Sequence, residues 1–182
     1  MKNQVYIDYH DHEWGRYSPN HSEKHLFEFL NLEGAQAGLS WETILRKREA
    51  YSVAFDNWDV SKITKYNDTK VLELMSNTGI VRNRLKINAV ITNAHAYVDL
   101  CKDQGSLNQY LHSFLPDGKP VLSDGKSRIT TSAISDAISA DLKRRKFKFV
   151  GSTIIYAYLQ AMGFVLDHDE HCFVRRENQN NN

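Results

Sequence analysis

Cysteine is scarce in this 182-residue chain: Cys101 and Cys172 are the two present, far apart in sequence. That excludes a disulfide-built scaffold and, with no signal-peptide pattern, fits a reducing, cytoplasmic setting. No apolar run approaches the ~20 residues that cross a bilayer, so no membrane partner is expected. Charge of one sign is also missing. There are 23 Lys and Arg against 22 Asp and Glu, a net +1. A uniformly basic surface is excluded, and any nucleic-acid partner must be held by local patches. Prolines number three, and the period-2 alternation of half-buried strands is scarce. Hydrophobic residues make up 41%, which suits one domain or two small lobes sharing a core.

Helical periodicity fills the space these absences leave, and the fold class expected is all-α. Ser22 is a candidate N-cap for a helix through Leu26, Phe27, Phe29, Leu30 and Leu32 toward Gly34. Ser40 caps a second, with Glu42 in its first turn. Short helices are expected after Asp59 and Asp68, a long one from Ile80 to Leu100, and a short one within 106–115. Residues 116–131 read as a loop. Ser132 or Ser135 opens a helix through Leu142, and another runs from Ser152 to Met162, stopped by Gly163. The polar residues 178–182 read as a disordered tail after a single domain spanning 1–177.

Three stretches carry chemistry. Residues 142–163 hold a helix ending in Lys143, Arg144, Arg145, Lys146 and Lys148, a tight FVGS turn, and an apolar helix. Gly151 is small enough to let a backbone approach closely and tolerates positive φ, and the amides from Val150 through Ser152 to Thr153 would open the next helix toward an anion. The same pattern also fits a helical hairpin with a solvated basic face. LEGAQAGLSW (32–41) places Glu33 among small and apolar residues, with Trp41 following and Tyr6, Tyr9 and Trp14 upstream. A carboxylate among rings suits a flat, cationic heterocycle; equally, the rings are core and Glu33 is a salt-bridged helix residue. YHDHEWG (9–15) and LDHDEHC (166–172) crowd histidine and carboxylate at the two ends. Cys172 follows His168 by four positions, a spacing that suits zinc with His10, or a polar surface cluster.

Together these pieces resemble the 3-methyladenine DNA glycosylase I family, helix-hairpin-helix repair enzymes of bacteria. The matching segments are VYIDYHDHEWG (5–15), LFEFLNLEGAQAGLSWETILRKREAY (26–51), TGIVRNRLKINAVITNA (78–94), and DLKRRKFKFVGSTIIYAYLQAMGFVLDH (141–168) with Cys172. The resemblance implies a helix-hairpin-helix glycosylase fold, its two helical lobes flanking a base pocket. It also implies hydrolytic excision of 3-methyladenine from alkylated double-stranded DNA, leaving an abasic site. Glu33 then recognises the base edge as the candidate catalytic group, Trp41 stacks, and Tyr6, Tyr9 and Trp14 complete the pocket. Leu39 lies where the family probes the gap left by the extruded nucleotide. Val150, Gly151, Ser152, Thr153, Lys143 and Arg144 hold DNA, while Arg82, Arg84 and Lys86 either contact phosphate or solvate a helix. Asp167 lies roughly where the wider superfamily keeps a catalytic aspartate, and is read instead as support for the metal site. A monomer without lyase chemistry is expected, in the bacterial cytoplasm.

The family also ties its termini together with structural zinc, so the two His-rich clusters should meet. His10, His168 and Cys172 fall on three of its four ligand positions. The family's remaining ligand, a cysteine, falls upstream of Met1. Three alternatives stay open: an upstream start, a substitute such as His12, His171 or water, or an empty site. Two other functions compete: a metal-dependent hydrolase built on the His/Asp clusters, and a DNA-damage-binding module without chemistry.

Overall fold

Short polar side chains start most of the helices. Ser22, Ser40, Asp59, Asn67, Asn83, Ser106 and Ser132 each accept a backbone amide of the turn that follows, satisfying donors that a helix leaves open. The computed structural model describes residues 4–180, with side chains through Glu177. Its helices are α1 (Gln4–His12), α2 (Glu23–Gln36), α3 (Trp41–Ala54), α4 (Val60–Ile63) and α5 (Asp68–Ser76), then α6 (Arg84–Gln104), α7 (Leu107–His112), α8 (Ala133–Arg144), α9 (Ser152–Ala161) and α10 (Phe173–Asn180).

α2 is the spine. It buries every residue from Leu26 to Ala35, the polar Glu28, Asn31 and Glu33 among them. Leu26, Phe29 and Leu30 join one hydrophobic cluster with α7, α8 and α9. Phe27, Leu32 and Ala35 join a second, built with α3, α5 and α6. Trp41 packs against both. Glu33 is carried into the interior with this helix, not held out on an edge.

Three features depart from the sequence expectation. The 116–131 segment contains a strand, β1 (Val121–Leu122), pairing in parallel with β2 (Val165–Leu166). Two residues are too few for an alternating pattern to register. The chain is helical from Gln4, where the histidine-rich composition gave no periodic signal. α10 runs to Asn180 and so enters the segment expected to be a disordered tail; residues 1–3 and 181–182 lie outside those described.

Candidate active site

A cavity of about 300 Å³ opens where α1, α2, α3 and α9 converge. Tyr6, Tyr9 and His10 come from α1, with Trp14 just beyond it. α2 contributes Glu33 and Gln36, one turn apart on one face. Trp41 begins α3, and Ala157 and Gln160 come from α9. Ser40 fixes the start of α3, and therefore the indole, by accepting the Thr43 amide. The Tyr9 and Trp41 rings lie 5.6 Å apart. Phe29 stands behind both, at 6.2 Å from Tyr9 and 6.0 Å from Trp41. Trp41 Nε1 is buried without a hydrogen-bond partner.

Glu33 is only 5% exposed, and burial pushes its carboxyl up to about 8. The cation in this quarter is engaged elsewhere. Arg48 sits 4.7 Å over the Phe29 ring and donates to Glu28 at 2.8 Å and to Glu13 at 2.7 Å. Burial would raise the Glu13 carboxyl, but hydrogen bonds from His25 and Arg48 outweigh it and hold it at about 2. The slot therefore contains an acid that water would ionise and that the protein keeps largely neutral.

The turn between α8 and α9 is pinned from inside. Asn93 accepts the Lys148 amide at 2.7 Å and donates to the Lys148 carbonyl at 3.2 Å, and Ser139 donates to the Val150 carbonyl at 2.7 Å. α9 begins without a side-chain cap, leaving its first amides open to an anion. Val150 is buried, Ser152 half-buried and Thr153 exposed. The Ser152 hydroxyl is turned toward Ser135 and Asp136. Lys143 and Arg144 are exposed beside this turn, Arg144 in contact with Asp141. The turn abuts α2: a Cβ on Gly34 would lie 3.0 Å from Phe149 Cβ. Leu39, 41% exposed, projects from the turn between α2 and α3.

At the chain's ends the two His-rich clusters meet. His10 Nε2 lies 3.6 Å and His168 Nδ1 3.5 Å from Cys172 Sγ, and all three atoms fall within 4.8 Å of one another. The other ring nitrogens face outward: His10 Nδ1 meets Asp11 at 2.8 Å, and His168 Nε2 donates to the Trp14 carbonyl at 3.1 Å. Gly15, at φ +67, lies under the His168 ring, where a Cβ would come within 2.6 Å of Nε2. His10 lines the cavity as well as this cluster.

A family model described as methyladenine glycosylase matches residues 1–176. The chain belongs to the methyladenine glycosylase family. A DNA-3-methyladenine glycosylase of Haemophilus influenzae is 42% identical over 171 residues, 92% of this chain and 91% of the relative. DNA-3-methyladenine glycosylase 1 of Escherichia coli K12 is 43% identical over 171 residues, 92% and 90% of the two chains. A Staphylococcus aureus 3-methyladenine DNA glycosylase I structure, described as the basis of 3-methyladenine recognition, superposes with a TM-score of 0.91. It is 35% identical, covering 96% of this chain and 93% of that one. Among the described residues no helix is long and apolar enough to cross a membrane.

In this methyladenine glycosylase family member, the five aromatic and acidic residues expected to share a pocket do so. Several details of the sequence reading need correction. Gly151 has φ −63, and a Cβ there meets nothing within 4 Å, so positive φ is not its reason. The left-handed positions of the turn are Lys146 and Phe149; the glycine leaves an open face, which agrees with the expectation that its small size permits close approach. Arg145 does not join the basic patch: it bonds to Asp141 and Asp103 and covers the Tyr110 ring. The Lys86 ammonium is turned back onto the protein. Its Nζ donates to the carbonyls of Ala35 at 2.8 Å and Ala37 at 2.6 Å, closing the end of α2. Neither His12 nor His171 enters the metal-type cluster, and His171 is 92% exposed beside Glu170. Gln36, Ala157 and Gln160 were missed as pocket residues; Gln36 lies one turn after Glu33 on the same face, while nothing in the sequence singled out Ala157 or Gln160.

The position of Lys86 carries an expectation. Lys86→Met should lower stability by about 2 kcal/mol, the loss of charge-assisted bonds to two carbonyls, measured by urea unfolding. Duplex binding should weaken while its salt slope stays unchanged, because no phosphate contact is lost. A shallower slope would reassign Lys86 to the DNA.

Proposed function

We propose that this chain captures 3-methyladenine extruded from alkylated duplex DNA and hydrolyses its glycosidic bond, leaving an abasic site. The observation that carries the reading is Glu33, an acid buried in a ring-lined slot with no counter-charge among the described residues. Methylation at N3 makes the base cationic in DNA, so it departs as a neutral molecule and needs no strong acid behind it. The missing counter-charge is then the substrate. The cation favours the ionised form of Glu33, whose proton passes to water, and is held by the resulting carboxylate, while Tyr9 and Trp41 offer ring faces and Tyr6 and Trp14 complete the walls. The same carboxylate favours the electron-poor sugar of the transition state, and water takes the sugar carbon. No lysine nucleophile is required, so no strand cleavage follows.

The DNA contacts divide by type. The first amides of α9, around Gly151, Ser152 and Thr153, take a backbone phosphate, with Val150 holding the turn and Lys143 and Arg144 adding charge. Leu39 fills the gap that an extruded nucleotide leaves. Since one chain supplies slot, wedge and grip, it acts as a monomer, and its substrate places it in the bacterial cytoplasm.

Zinc fits the termini. A tetrahedral ion with Zn–S of ~2.3 Å and Zn–N of ~2.05 Å sets sulfur and nitrogen about 3.6 Å apart, and the distances to Cys172 are 3.6 and 3.5 Å. Asp11 and the Trp14 carbonyl orient the two imidazoles as outer partners do in zinc sites. His10, His168 and Cys172 would hold the ion, which would supply a cross-link between α1 and the C-terminal segment and no chemistry on the base.

The deciding experiment is chromatography of bases released from methylated duplex DNA. Time-dependent free 3-methyladenine, without strand cleavage before alkali, is expected. Tight binding without release would make the chain a damage-binding module. Immediate arrest by a chelator with the fold intact would make it a metal-dependent hydrolase.

A further inference from the structure

We infer that Gln160, oriented by Asp167, selects adenine over guanine among N3-methylated purines. The inference rests on the base-excision reading above and adds a residue to its site. Gln160 lines the cavity one turn beyond Ala157 on α9. Its Nε2 donates to Asp167 Oδ2 at 2.5 Å. A carboxylate only accepts hydrogen bonds, so the amide nitrogen must face Asp167 and the carbonyl end is the one left over. Among the described residues no donor meets that carbonyl oxygen, and no Lys or Arg pairs with Asp167. Asp167 is itself held on both sides. Val165 and Leu166 before it are paired with β1, and His168 after it is anchored to the Trp14 carbonyl.

A glutamine left to itself can turn either end of its amide to a ligand, and so accepts or donates as the ligand requires. Asp167 removes that choice, so what Gln160 has left to offer a ligand in the cavity it lines is an acceptor. The two methylated purines differ at the matching point. 3-Methyladenine carries an amine at C6, with hydrogens to donate. 3-Methylguanine carries a carbonyl oxygen there, which meets an acceptor with lone pairs facing lone pairs. Glu33, ionised against either cationic base, accepts as well. Gln160 adds an acceptor whose polarity does not depend on a proton.

The test measures both bases released from one preparation of methylated duplex DNA, which carries 3-methyladenine and 3-methylguanine together. Gln160→Met keeps the side chain's length and removes its hydrogen bonding. Asp167→Asn keeps the shape and frees the amide to turn over. Each is expected to lower the kcat/KM ratio of 3-methyladenine to 3-methylguanine about tenfold, the value of one hydrogen bond. A loss of both activities in equal proportion, with the ratio unmoved in both variants, would reduce Gln160 to a wall of the cavity and overturn the inference. If Asp167→Asn disturbs the neighbouring His168 and fails to fold, the Gln160→Met ratio decides alone. If the unaltered protein releases neither base, the base-excision reading and this inference fall together; release with an unmoved ratio removes this inference only.

Discussion

Glu33→Gln is expected to make the protein more stable and far less active, with both effects growing as pH rises. The folded-state pKa of Glu33 is about 8, above the unfolded value of about 4.5, so the folded state binds this proton more tightly. The group's contribution to stability is therefore greatest at low pH and is lost as pH rises from about 4.5 through 8. Glutamine does not titrate. Between pH 6 and pH 8 the variant should gain about 2 kcal/mol on the parent, or about 5 °C in melting temperature for a chain of this size. Excision should move the other way, falling about 10²-fold or more with the loss of one preorganised charge. In the parent protein kcat/KM should climb with pH and level off near 8, because the cation must displace the proton. The variant's profile should lose that climb. Melting curves of both proteins at the two pH values check the first claim. A difference that does not grow with pH would mean that Glu33 has a counter-charge the structure does not contain.

Cys172→Ser, or stripping of metal by a chelator, should damage the protein at both its ends and its pocket. His10 is shared by the metal-type cluster and the cavity, and Tyr6 and Tyr9 ride on the same helix. Releasing that helix frees one wall of the slot. A drop of about 10 °C or more in melting temperature is expected, since binding of structural zinc is folding free energy. Excision should decay with unfolding rather than stop at once. Elemental analysis of the purified chain should find about one zinc per molecule, the content of one structural site. A metal-free preparation with the same melting temperature would remove zinc from the account.

The helices were legible where a cap and a periodic face coincide, as at Ser22 with Leu26, Phe29 and Leu30, or Ser132 with Ile138 and Leu142. α1 was not, because YHDHEWG has neither a strong apolar face nor a composition typical of helix. Its helix is stabilised by tertiary contact, Tyr9 packing on Phe29 and Trp41. The pocket was legible through its rings and Glu33, since aromatic side chains around one acid are a compositional signal. Gln160 was not, because an amide carries no such signal until its partner Asp167 is placed across β2. Long cations were the least legible. Lys86 and Arg145 sit in basic stretches, yet their stems carry the charges back onto Ala35 and Asp141, and spacing in sequence does not say which way a flexible stem folds.

Gly34 against Phe149 ties two jobs to one turn of α2. The residue before it faces the slot, and the glycine itself touches the loop that the DNA backbone would rest on. The stagger between a held phosphate and the nucleotide under inspection is thus a built-in ruler length. Under the proposed phosphate grip, each placement on a duplex would then present one nucleotide to the slot, at that fixed offset. A bulkier residue at Gly34 would spoil the calibration while leaving both tools at either end of the ruler intact.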